Sequence, residues 1–153
     1  MTLKVIDGYF VHFVAPENLP PMSKHVIFVL DTSGSMSGKK MQQTKNAMKT
    51  ILTDLREKDS MTIIEFDDSI NVWTDDNGNK IFSASLDNKE KAIEYVEGLE
   101  SDGGTNINDA LMEALSIIGE IKELKSRKES QYMIIFLTDG QVSFILTYSM
   151  IDN

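Results

Sequence analysis

His25-Val-Ile-Phe-Val-Leu30 runs directly into Asp31-Thr-Ser-Gly-Ser35, an apolar segment of strand length that ends in a carboxylate and two hydroxyls spaced two residues apart. In extended backbone alternate side chains share a side, so Asp31, Ser33 and Ser35 can converge on one point, and Gly34 lets the chain turn between them. Hard oxygen donors of this kind suit Mg²⁺ or Ca²⁺ better than zinc.

Working outward, Tyr132-Met-Ile-Ile-Phe-Leu-Thr-Asp139-Gly140 repeats the arrangement of an apolar run ending in a carboxylate. Both runs are continuously apolar, as strands covered on both faces are. Gly103-Gly-Thr105-Asn106 places another hydroxyl in a flexible loop just ahead of a helical pattern. Between these landmarks, Met41, Thr44, Met48, Ile51, Leu52 and Leu55 recur at helical spacing and predict an amphipathic helix over 38–57. Residues 61–66 read as a strand. Asn77-Gly78, between the β-prone segments 70–73 and 80–83, predicts a small antiparallel hairpin at the sheet edge. Asp87, with Glu90 three residues on, is placed to cap a helix carrying Ile93, Val96 and Leu99, and a further helix after Asn106 is expected to bury Ile107, Leu111, Leu115, Ile118 and Ile121. A short strand at 9–14 and a Pro-containing linker at 16–22 lead in. This alternation predicts an α/β fold, a three-layer doubly wound, Rossmann-like, mostly parallel sheet with helices on both faces. If the runs ending at Asp31 and Asp139 are neighbours, the two carboxylates meet in the crevice where such sheets bind ligands.

Asp31-x-Ser33-x-Ser35, Thr105 and the Thr-Asp139-Gly setting together resemble the metal-ion-dependent adhesion site of the von Willebrand factor A domain. The segments 8–17, 26–38 and 103–110 resemble most closely the A domain of the inter-alpha-trypsin inhibitor heavy chains. The resemblance implies a metal site of Asp31, Ser33, Ser35, Thr105 and Asp139, holding Mg²⁺ with Mn²⁺ and Ca²⁺ as alternatives. It implies a non-enzymatic protein-binding module whose partner supplies an Asp or Glu to the metal, in a secreted, extracellular family associated with matrix and hyaluronan. The expected organisation is a leading strand and linker at 1–24, an A-like domain at 25–140 truncated after the strand ending at Asp139, and a divergent tail at 141–153. Residues 142–151 of that tail are apolar and β-prone; unless they pair with the strand before Asp139, one side of that strand is left open, with marginal stability and a sticky edge expected.

Composition narrows the rivals. A chain of 153 residues that is 41% hydrophobic fits one domain with a single core, and a net charge of −9 argues against nucleic acid and anionic membrane as partners. Cysteine is absent, which removes thiolate metal sites, disulfides and thiol catalysis. No cleavable signal peptide is expected from the pattern at Met1-Thr-Leu-Lys4, and no apolar run reaches the roughly 18 residues of a membrane span. The segment 34–40 has the wrong spacing for a phosphate loop, and Met36 stands where a serine nucleophile elbow needs its serine. His12 and His25, the only histidines, are read as structural or surface residues. Two alternatives remain: a metal-assisted hydrolase or phosphatase built on Asp31 and Asp139, which lacks a visible base or nucleophile, and a fragment without independent function.

Overall fold

The computed structural model describes residues 2–6, 9–13, 22–124, 130–138 and 141–149, with side chains for 22–121 and 131–138. Its centre is β3 (Ser23–Asp31), which pairs in parallel with β4 (Ser60–Phe66) on one side and with β7 (Ser130–Thr138) on the other. Chain order therefore reverses direction at β3, as expected of a doubly wound sheet. The edges are antiparallel: β5 (Ile70–Val72) and β6 (Phe82–Ser83) both pair with β4, and β8 (Gln141–Ser149) pairs with β7. A separate two-stranded antiparallel ribbon joins β1 (Thr2–Ile6) to β2 (Tyr9–Phe13).

Because successive side chains alternate, the apolar run of β3 feeds two cores. Val26, Phe28 and Leu30 face α1 (Lys39–Asp54) and α2 (Leu86–Glu97), which contribute Met41, Met48, Leu52, Ala92 and Val96. Ile27 and Val29 face α3 (Ile107–Leu124), which contributes Ala110, Ala114, Ile117 and Ile121. Helices thus cover both faces of a mostly parallel sheet, and the fold class is the one the alternation of elements predicts.

Three local expectations are corrected. On α3, Ile118 and Ile121 are buried and Leu111 packs against the core as expected, but Ile107 and Leu115 are 47% and 48% exposed, and Ala110 and Ala114 are fully buried in their place. Two small residues four apart let the helix backbone come close to the sheet, which a stripe of Ile and Leu would hold off. The turn at Asn77-Gly78 forms, with Gly78 at φ 78° donating to the Asp75 carbonyl at 2.9 Å. Its two arms, however, pair with β4 rather than with each other. The cap of α2 is Ser85, whose hydroxyl accepts from the Asn88 amide at 3.4 Å, one turn-start earlier than Asp87. The tail, whose pairing the sequence left open, forms a strand at 141–149 along β7, in antiparallel register from Gln131↔Ser149 to Thr138↔Gln141, so that side of β7 is paired.

His25 is buried, with Nδ1 2.7 Å from the Ser60 hydroxyl and Nε2 3.2 Å from that of Thr62, which fits its reading as a structural residue. Trp73 stacks on Phe82 with ring centroids 4.1 Å apart and on Tyr95 at 5.6 Å, so the Trp packs the hairpin segment onto the domain.

Candidate functional site

Asp31 is the last residue of β3 and is 2% exposed. Parallel pairing on both sides carries it to the carboxyl end of the sheet, at the point where strand order reverses. Its two oxygens are held separately. The Ser33 amide donates to Oδ1 at 2.9 Å, and the Thr138 hydroxyl, from the last residue of β7, donates to Oδ2 at 2.5 Å. The backbone then tightens into a 3-10 turn at Gly34–Met36, anchored by the fully buried Met36. This turn brings the Ser33 and Ser35 hydroxyl oxygens to 3.0 Å of each other. Adjacent donors on an octahedron around Mg²⁺ at ~2.1 Å lie about 3 Å apart. A buried carboxylate beside two hydroxyls at that spacing is a donor set that fits a hard divalent ion. Ser33 is buried and Ser35 exposed, so the pair sits at the surface of the crevice.

A second loop is tied to the first. The Gly34 amide donates to the Gly103 carbonyl at 3.0 Å, and the Asp102 amide to the Thr32 carbonyl at 2.9 Å. Gly103 sits at φ 73°, a conformation that suits glycine and lets the loop present its carbonyl to Gly34. Thr105 follows two residues later, exposed, and Asn106 caps α3 by accepting from the Asp109 amide at 3.3 Å. Of the five predicted ligands, the structure brings Asp31, Ser33 and Ser35 together and places Thr105 on the loop bonded to theirs. Asp139 lies outside the described residues; its neighbour Thr138 is the group that reaches Asp31.

Three contributors escaped the sequence reading. Thr138 orients Asp31, and its place before Asp139 was the available signal. Thr32 locks the first loop to β4, its amide and hydroxyl donating to the Phe66 carbonyl at 2.8 and 3.0 Å. The turn Asp67-Asp68-Ser69 supports the second loop, its Asp67 carbonyl accepting from the Asn106 amide at 2.7 Å. Nothing local in the sequence marks the last two, because each bond joins positions more than thirty residues apart.

The surroundings are acidic. An open cleft of about 670 Å³ beside Thr32 is lined by Glu65, Asp67, Glu94 and Glu100, with Lys91 and Tyr95. Burial pushes the Glu65 carboxyl above its ordinary value, against hydrogen bonds from Tyr95 and Asn71. At Asp67, hydrogen bonds from the Ser69 amide and hydroxyl, at 2.7 and 2.8 Å, hold the carboxyl below its ordinary value. Among the described residues no three His, Cys, Asp or Glu side chains gather into a metal cage.

This geometry has counterparts in known proteins. The sequence model of the von Willebrand factor type A domain matches residues 26–141. Human inter-alpha-trypsin inhibitor heavy chain H2 is 45% identical over 139 residues, 90% of this chain and 14% of that protein. Human inter-alpha-trypsin inhibitor heavy chain H6 is 44% identical over 142 residues, 91% of this chain and 11% of that protein. The chain thus spans about one seventh or less of the length of these relatives. Among solved structures, von Willebrand factor type A from Catenulispora acidiphila aligns with a TM-score of 0.56 at 23% identity, covering 61% of this chain and 22% of that one. Proximal thread matrix protein 1 from the mussel byssus, solved with zinc in its adhesion-site motif, aligns with a TM-score of 0.51 at 20% identity, covering 75% of this chain and 28% of that one. These two likenesses speak to the fold alone. With the family model covering residues 26–141, which hold β4, β7 and both described loops of the crevice, the chain belongs to the von Willebrand factor type A domain family.

Proposed function

We propose that this chain is a metal-ion-dependent, adhesion-type protein-binding module without enzymatic activity, working as the A domain of an inter-alpha-trypsin inhibitor heavy chain would. Asp31, Ser33, Ser35, Thr105 and Asp139 hold a divalent ion, Mg²⁺ first, with Mn²⁺ and Ca²⁺ as alternatives. The observation that carries this reading is the buried Asp31 carboxylate, fixed at both oxygens, next to two hydroxyls at the edge length of an octahedral shell. A bound ion supplies electrophilic attraction for an outside carboxylate. Three neutral hydroxyls and two carboxylates neutralise it only just, so an Asp or Glu from a partner protein completes the shell. That bridge is how a chain of net charge −9 engages an acidic partner.

The expected setting is extracellular, in proteins associated with matrix and hyaluronan, on the strength of 44–45% identity to the heavy chains. No helix among the described residues is long and apolar enough to cross a membrane. The domain division of a lead-in at 1–24, an A-like domain at 25–140 and a divergent tail at 141–153 belongs to the same proposal. Calorimetric titration of the chelated protein with Mg²⁺ and Mn²⁺ tests it, beside the Ser33→Ala, Ser35→Ala double variant. One-site binding that disappears in the variant is expected; a well-folded wild type that binds neither ion overturns the metal-dependent reading and leaves the fold.

A further inference from the structure

Pairing β8 with β7 moves the open edge of the sheet outward by one strand without closing it. The strand order runs β5-β4-β3-β7-β8, and among the described residues no strand pairs with the outer side of β8. The opposite margin is blunted in the ways that keep sheet edges from pairing: β5 has three residues and β6 two, and Asp67, Asp68, Asp75 and Asp76 flank β5. β8 is nine residues long, and from Gly140 to Ile151 the sequence holds no charge and no proline. Its one irregularity lies near its start, opposite Phe136 and Leu137, and leaves 144–149 in regular register.

A second copy of the same strand fits that edge. A twofold axis normal to the sheet at Leu146 sets another β8 antiparallel to the first, with Leu146 opposite Leu146, Phe144 opposite Tyr148 and Ile145 opposite Thr147. Aromatic then meets aromatic and β-branched meets β-branched, pairings that stabilise antiparallel strands. Register with β7 puts Phe144, Leu146 and Tyr148 opposite Phe136, Ile134 and Tyr132, on the α3 side, so both copies bring these apolar positions to one side of the joined sheet. Charge selects the same contact. Two chains of net charge −9 repel each other, and their approach is least opposed along this uncharged segment. We propose that β8 is a self-association edge, through which two copies of this chain join their six-stranded sheets into one, about a twofold axis at Leu146. The contact is one strand wide, so its dissociation constant is expected on the order of 10 µM. Antiparallel joining reverses the second sheet, and the two crevices open at opposite ends. A dimer bivalent for an acidic partner rests on the proposed metal role; the dimer itself does not.

Sedimentation equilibrium of the full chain from about 1 to 200 µM is expected to show reversible dimerisation, equally with Mg²⁺ and with chelator, so that a failed metal reading leaves this result standing. Over the same range, amide exchange should slow with concentration in 141–149 and not in β5. Leu146→Cys supplies a single thiol in a cysteine-free chain. A short bis-maleimide should couple two copies of it about 10-fold faster than two copies of Leu86→Cys, an exposed position at the start of α2 beside β6, at the other margin. A chain monomeric throughout overturns the proposal and leaves the edge to a strand of another protein. A dimer whose concentration-dependent protection lies outside β8, or in which both cysteines couple at equal rates, overturns it as well, because its copies then meet elsewhere.

Discussion

Asp31 meets two donors before any cation is considered, and this changes what its removal does. From the sequence, a carboxylate at a strand end is replaceable by alanine with little effect on the fold. In the structure Asp31 is buried, and Asp31→Ala strands the Ser33 amide and the Thr138 hydroxyl, at a cost of roughly 1–3 kcal/mol. Asp31→Asn keeps an acceptor for Ser33 and an amide that can donate to the Thr138 oxygen, while removing the charge an ion needs. The expected result is a melting temperature clearly lowered in the alanine variant and nearly unchanged in the asparagine variant, with Mg²⁺ binding lost in both by calorimetry. Mg²⁺ affinity surviving intact in Asp31→Asn would remove Asp31 from the ligand set. Ser33 and Ser35 were legible from their spacing after Asp31, although the backbone that brings their hydroxyls together is the 3-10 turn at Gly34–Met36 and not extended strand. Thr138 was marked only by its place before Asp139; that it reaches Asp31 depends on β7 lying beside β3 in a register that no local pattern encodes.

At the scale of elements, two features decide how the sheet is held. Asp59, just before β4, ties three elements at once: it accepts from the Lys24 amide and Nζ at the start of β3, and from the Arg56 amide, Nε and Nη2 after α1. Burial alone would raise its pKa, but hydrogen bonds from Arg56 and Lys24 outweigh burial and hold it well below the ordinary 3.8. A carboxylate with a lowered folded pKa stabilises fully above the unfolded value and loses that contribution as pH falls toward the folded one. Thermal melts from pH 5 down to pH 2 are expected to fall steadily below about pH 4, and Asp59→Asn should flatten that dependence while costing roughly 1.5–3 kcal/mol at neutral pH. An acid limb of unchanged slope in the variant would assign the loss to other groups. Helix α3 is the second feature. Its existence and the inward facing of Leu111, Ile118 and Ile121 were legible from periodicity, but Ile107 and Leu115, which suit a core face by residue type, lie outside, because close approach to the sheet selects Ala110 and Ala114. Ala114→Leu should therefore destabilise by about 1–3 kcal/mol through overpacking. Leu115→Gln, at a half-exposed position, should shift a urea midpoint far less. The reverse ranking would put Leu115 on the core face, as expected from the sequence.

For the whole molecule, the parallel centre was readable because β3 and β7 are apolar without interruption, and a strand that must be covered on both faces places helices on both sides. The antiparallel margins were harder. Residues 70–72 and 82–83 carry a hairpin turn between them, yet each finds more to pair with along β4 than in the other. The tail was read as divergent and its pairing left open; the structure lays β8 along the whole of β7, with one irregularity between Phe136 and Leu137. The register places Gln141 opposite Thr138, so the outer strand ends next to the residue that holds Asp31. Stability and site are therefore coupled through β7. Without residues 141–153, β7 would keep only β3 as a partner, and its outer backbone groups would face water or another chain. The chain ending at Gly140 should melt at lower temperature with a broadened transition, bind a hydrophobic dye, and self-associate in sedimentation. Its Mg²⁺ affinity should weaken as well, because a loosened β7 no longer fixes the Thr138 hydroxyl against Asp31. Cooperative unfolding of that shortened chain at the full-length midpoint would mean that β3, α1 and α3 alone hold β7 in place, and that β8 shields the edge without supporting the site.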